Sequence, residues 1–189
     1  MTRQIVVCVL MAGLSLCSAQ ERSHSASTDD SSMRLSLTIR AERQVYSLSD
    51  SVPLEVQLTN TGSSTLYLYD DVCFNPGNFL TLDVFTTSGK EVSVPITYLR
   101  DCLPPAPRRN DTSGFFRLER QSFYGIIETY AVRELVAEPG EYDVVVHYEA
   151  ALSKNWIAKY GGAKIADLPV WTRERPVLAS NRLRIIVKP

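Results

Sequence analysis

The chain has 189 residues, with 20 Lys and Arg against 21 Asp and Glu, for a net charge of −1. That length suits one domain with a full hydrophobic core, and 44% hydrophobic with 22% charged residues is ordinary globular composition. The near-neutral balance excludes a nucleic acid or an anionic membrane held by bulk charge.

The first residues read as an export signal. Arg3 supplies a positive start, and Ile5 to Leu16 is an apolar run too short to span a bilayer. Cys17-Ser18-Ala19 offers the small residues of a cleavage site, which makes 1–19 a signal peptide and Gln20 the mature N-terminus. Leu16 is bulky where lipoprotein signals carry a small residue, which argues against a lipid on Cys17. The expected location is periplasmic or extracellular, and no later stretch is apolar enough to predict a membrane span. Residues 20–33 are rich in Ser, Asp and Thr with no apolar pattern and read as a disordered tether, leaving 34–189 as the folded domain.

From there the hydrophobic pattern has a period of two, the signature of half-buried strands. It runs through Leu35, Leu37 and Ile39, then Val52 to Leu58, where Asn60-Thr61-Gly62 suits a tight turn with positive φ. It continues at Leu66 and Leu68, at Leu80 to Val84, and past Ser88-Gly89-Lys90 at Val92, Val94 and Ile96. Later strands are predicted at Phe116 and Leu118, Tyr124 to Val132, Tyr142 to Tyr148 and Leu183 to Val187. Only Ser153 to Lys164 suits a short helix, with Trp156, Ile157 and Tyr160 on one face and Gly161-Gly162 ending it. About eight strands without alternating helices predict an all-β antiparallel sandwich, with a long loop or short helix before the last strand.

In an oxidising compartment Cys73 and Cys102 are an even pair, and a disulfide between them is the simplest reading. It would close a loop of about 30 residues and stabilise by roughly 3–4 kcal/mol. Two cysteines and two distant histidines, His24 and His147, do not make a zinc site. The spacing of Asp70, Asp71, Asn75, Asn78 and Asp101 fits a surface acidic pair better than a calcium loop. No nucleophile elbow or phosphate loop is present, so neither catalytic residues nor a cofactor is expected.

Two segments stand out by length and composition. Residues 100–114 contain Cys102, Pro104, Pro105, Pro107, Arg108, Arg109 and Asn110, too proline-rich for a central strand. They predict a stiff, extended, basic tip, with Arg108 and Arg109 as candidate contact residues, and Asn110-Asp111-Thr112 also matches a glycosylation acceptor. Residues 153–179 carry Trp156, Tyr160 and Trp171, candidates for stacking on a partner, although capping one open end or edge of the core is the commoner role for Trp156 and Trp171.

Glu138-Pro139-Gly140-Glu141-Tyr142, directly before the clearest late strand, resembles the acidic-x-Gly-x-Tyr segment of immunoglobulin-like domains. The resemblance implies a tyrosine hydroxyl bonded back to the backbone at the strand corner. Val144 stands where antibody domains have a cysteine, so no inter-sheet disulfide is implied. Tyr46 to Leu54 with Leu58 to Gly62, Phe116 to Tyr148 and Ser180 to Leu183 look like further strands of bacterial extracellular domains of this type. Leu82-Asp83-Val84-Phe85 with Gly89-Lys90-Glu91-Val92 is similar to a short stretch of a bacterial immunoglobulin-like proteinase-inhibitor family. The functional expectation is a non-enzymatic binding or accessory module for an unidentified protein or glycan. The alternatives are a protease inhibitor using loop 103–114 and a structural spacer.

Overall fold

The structure is a computed structural model that describes residues 32–70, 74–75, 78–92 and 107–189. The signal segment, the Cys73–Cys102 pair and the strand expected at Val94 and Ile96 lie outside the described residues. In chain order the strands are β1 (Leu35–Ala41), β2 (Val45–Ser47), β3 (Ser51–Asn60), β4 (Leu66–Tyr69), β5 (Phe74–Asn75), β6 (Asn78–Thr86) and β7 (Glu91–Val92). They continue with β8 (Phe115–Leu118), β9 (Phe123–Ala131), β10 (Gly140–Tyr148), β11 (Leu178–Ala179) and β12 (Leu183–Lys188). The eight segments of four or more residues match the strands read from alternation. The two- and three-residue segments β2, β5, β7 and β11 are too short to carry a period.

One sheet has the order β1-β3-β9 and the other β2-β12-β10-β6-β5, with β7 pairing β6 and β11 pairing β10. Every pairing is antiparallel except β2 on β12. The alternate residues Leu37, Ile39, Val52, Leu54, Val56 and Leu58 of the first sheet meet Leu80, Val84, Val144, Val146, Ile185 and Val187 of the second in one core. Period two thus becomes burial because each strand turns alternate side chains to the same interior.

Tyr142 makes the corner its sequence context implies: its hydroxyl donates to the Glu138 carbonyl at 2.9 Å. With β1, β3 and β9 facing β6, β10 and β12, the molecule is an immunoglobulin-like β-sandwich. Asn181 ties the two sheets: its Oδ1 accepts from the Ile39 amide at 2.9 Å, and its Nδ2 donates to the Ile39 carbonyl at 3.1 Å.

Two local expectations change. Gly89 turns the β6–β7 hairpin with φ of 82°, but neither Asn60 nor Gly62 adopts positive φ. Asn60 is instead buried and builds its turn with its side chain, donating to the Ser64 and Leu118 carbonyls and accepting from the Gly62 amide. Gly62 is needed for space, since a Cβ there would fall 2.7 Å from the Arg34 nitrogen. Ser32 and Met33, read as the end of the tether, belong to the fold: the Ser32 carbonyl accepts from Ser63 at 2.9 Å and Met33 packs on the core.

Candidate functional site

β4 and β8 form a separate two-stranded ribbon. Against it packs the helical connection, in three short pieces: α1 (Lys154–Trp156), a wide π-type turn (Ile157–Gly161) and α2 (Ala163–Ala166). Ser153 starts it, its hydroxyl accepting from the Trp156 amide at 3.0 Å. Ile157, Ile165 and Val170 bury themselves against Tyr69 and Phe115 of the ribbon, making a second, smaller core. The Tyr67 amide donates to the Pro169 carbonyl and the Trp171 amide to the Tyr67 carbonyl, which fastens the far end of the connection to β4. The chain breaks between the helical pieces at Gly162, whose φ of 74° and ψ of 172° suit glycine almost exclusively.

The proline- and arginine-containing segment lands on this connection. Arg108 to Asp111 form a hydrogen-bonded turn, the Asp111 amide donating to the Arg108 carbonyl at 3.0 Å. The described tip is therefore a turn and not the stiff, extended tip expected from its composition. Asn110 sits at its apex with φ of 60°, a left-handed conformation that asparagine tolerates better than most residues. Its amide donates to the Gly161 carbonyl at 2.7 Å, and its Oδ1 accepts from the Lys164 amide at 3.1 Å. One side chain thus satisfies a free N–H of a helix fifty-four positions along the chain. Asp111 stiffens the turn from the other side, accepting from the Ser113 amide at 3.0 Å and the Ser113 hydroxyl at 2.7 Å. Those bonds, aided by Arg108, hold its carboxyl below the usual range.

The candidate residues separate on this frame. Arg108 and Arg109 are exposed on the docked turn. Tyr160 is 49% exposed, with the Lys159 ammonium 4.9 Å from its ring centre. Trp156 is half-buried, its ring 5.7 Å from that of Tyr160. Trp171 is only 5% exposed and part of the main core, so it caps the sandwich and offers no face to a partner. Its neighbour Arg175 lies 5.5 Å above the ring. The structure adds two residues that sequence reading passed over, Lys159 and Lys164, and gives Gly162, read only as a helix end, a place in the site. Gly162 carried a partial signal as half of a Gly-Gly pair, but the two lysines look like any surface lysine until the turn docks beside them.

His147 faces the polar side of its sheet, with Nε2 3.1 Å from Asp83 Oδ2. Among the described residues no cluster of three His, Cys, Asp or Glu side chains is placed to hold a metal. No described helix is long and apolar enough to cross a membrane.

No family model matches the chain, and no curated protein matches it. Among solved structures it is similar to the β-glucosidase EmGH1 of Erythrobacter marinus, at 12% identity and TM-score 0.38 over 82% of this chain and 16% of that one. It is also similar to the sporulation control protein Spo0M of Bacillus subtilis, at 10% identity and TM-score 0.40 over 82% and 49% of the two chains. A third is the CARDB domain of the PF1109 protein of Pyrococcus furiosus, a complex with di-metal ions, at 8% identity and TM-score 0.36 over 82% and 89%. The chain spans 16% of the first of these proteins and 49% of the second, and their activities do not transfer to it. The class defined by the strands and the tyrosine corner is therefore the immunoglobulin-like sandwich, with a helical connection and a docked turn added at one end.

Proposed function

We propose that this is an exported, non-enzymatic binding module, of the kind built on bacterial extracellular immunoglobulin-like domains, that recognises an acidic protein or glycan. The observation that carries the reading is the docking of the 108–111 turn onto the 157–164 segment through Asn110. Two segments of unusual composition, far apart in sequence, form one fixed surface bearing Arg108, Arg109, Lys159, Tyr160 and Lys164, all exposed. A surface already held in place loses little ordering entropy on association, and exposed cations with an exposed tyrosine suit anionic partners. Direct evidence would come from pull-downs of extracellular proteins and acidic glycans on the immobilised mature chain. Capture by the wild-type chain that falls at least tenfold in Arg108→Ala/Arg109→Ala and in Tyr160→Ala supports the proposal; capture unchanged in both variants removes it.

The protease-inhibitor alternative takes second place for a geometric reason. A substrate-like inhibitor offers an extended backbone to the enzyme, whereas the Arg108 carbonyl and the Asn110 amide are committed to the turn and to Gly161. Inhibition of a trypsin-like protease that vanishes in Arg108→Ala would restore it.

A further inference from the structure

Among the described residues the first sheet ends at β9, and that edge is open. At the two ends of the β3–β9 ladder the Asn60 amide donates to the Ser122 carbonyl at 3.0 Å and the Val132 amide to the Asp50 carbonyl at 2.9 Å. The even-numbered residues between them therefore point their N–H and C=O groups at β3. Phe123, Gly125, Ile127 and Thr129 point theirs the other way, and none of the four makes another hydrogen bond among the described residues. The same four are the exposed residues of the strand, with Phe123 at 60% and Ile127 at 70% exposure. A Cβ on Gly125 would lie 3.8 Å from the Phe123 ring, so the ring leans over the glycine and lengthens the apolar strip. Edge strands are normally blunted by proline, lysine or a bulge. β9 has no proline or basic residue and pairs β3 in unbroken register from Phe123 to Ala131.

We propose that β9 pairs with β9 of a second copy of this chain, antiparallel about a two-fold axis at Gly125. That register sets Gly125 against Gly125 and Phe123 against Ile127 of the second copy, so both exposed apolar side chains are matched at once. Each of these pairs exchanges both main-chain hydrogen bonds, because the free N–H and C=O groups lie on the same residues. Charge favours this register over the neighbouring one. Glu128, the only charged residue of the strand, falls opposite Ser122, whereas an axis at Ile127 would set it against Ile126. Area sets the strength. Phe123 and Ile127 expose roughly 200–250 Å² per copy, and with the ladder backbone added the contact stays below the roughly 800 Å² a side of a standard stable complex. The dimer is therefore weak and reversible. β9 carries none of the residues of the docked-turn surface, so the pairing does not depend on the partner proposed above.

The test is sedimentation velocity of the mature chain from about 10 μM to about 1 mM, with monomer expected at the bottom of the range and mostly dimer at the top. Amide exchange over the same range is expected to slow about threefold at Phe123, Gly125 and Ile127 and to stay unchanged at Thr129, which lies beyond the paired stretch. Gly125→Pro removes the amide at the axis but no bond to β3, and is expected to keep the chain monomeric throughout. Ile127→Lys is the second variant, should the proline chain fail to fold, and is expected to weaken association about tenfold. A wild-type chain that stays monomeric up to about 1 mM overturns the proposal and leaves the edge to a strand of another protein. Dimers that protect other amides, or that form equally well in a folded Gly125→Pro or Ile127→Lys chain, overturn it too.

Discussion

Replacing Gly162 with alanine tests the docked turn at its tightest point. The backbone there has φ of 74° and ψ of 172°, where a non-glycine residue costs about 1–3 kcal/mol. An added Cβ would also run into Asn110 Oδ1, with Asn110 Cγ at 2.7 Å and Arg109 Cγ at 2.9 Å. The arginine stem can swing away, but Asn110 is fixed by its bonds to Gly161 and Lys164. Relieving the clash means giving up one or both, each contributing about 0.5–1.5 kcal/mol. The expected total is about 1.5–6 kcal/mol of lost stability. Asn110→Gly removes the obstructing side chain while keeping the left-handed apex accessible, so Gly162→Ala should cost about 1–2 kcal/mol less in that background. Urea unfolding followed by tryptophan fluorescence reads both variants and their combination. Additive costs, agreeing within about 0.5 kcal/mol, would show that the two segments do not touch and would refute the reasoning.

Other outcomes follow from single side chains. Tyr142→Phe should cost about 0.5–1.5 kcal/mol through loss of the bond to Glu138, whereas Tyr46→Phe should cost nothing, because the buried Tyr46 hydroxyl makes no hydrogen bond among the described residues; thermal melts that rank the pair the other way would contradict the corner. Asn60→Asp keeps the shape but loses both donors and buries a charge, with an expected loss of about 2–4 kcal/mol in urea unfolding; a near-neutral result would mean the turn is held by something else. Arg184 grips Asp143 at 2.6 and 3.2 Å and, against partial burial, holds its carboxyl below the usual range. A depressed folded value means this stabilisation is complete above the unfolded value near about pH 4 and is lost as the pH falls below it. Asp143→Asn should therefore flatten the acid limb of the stability profile below about pH 4, and an unchanged limb would show that the pair does not form.

The sandwich was legible in the sequence because its strands bury one face each, so Val52 to Leu58 and Tyr142 to Tyr148 wrote a period of two into the chain. The corner was legible too, since Gly140 and Tyr142 lie two residues apart and act locally. Gly140 carries the ring of Tyr142 at 3.3 Å from where its Cβ would be, a contact no larger residue allows without movement. Asn60 was found as a turn residue but for a different reason: its side chain reaches Leu118, fifty-eight positions away, and no local pattern announces such a bond. The site was harder for the same cause. Arg108 and Tyr160 could be named from composition, but their union depends on Asn110 meeting Lys164. Trp171 was ambiguous because an aromatic in a loop has the same sequence signature whether it faces a partner or plugs a core.

The central claim is that the arginine turn and the helical connection form one surface. Nuclear Overhauser contacts and amide exchange at Asn110 and Lys164 measure this directly in the wild-type protein. The account predicts cross-peaks between Asn110 and both Gly162 and Lys164, with slow exchange at the Asn110 and Lys164 amides and selective acceleration at Lys164 in Asn110→Ala. Exchange at the free-peptide rate at both amides, without those cross-peaks, would contradict it.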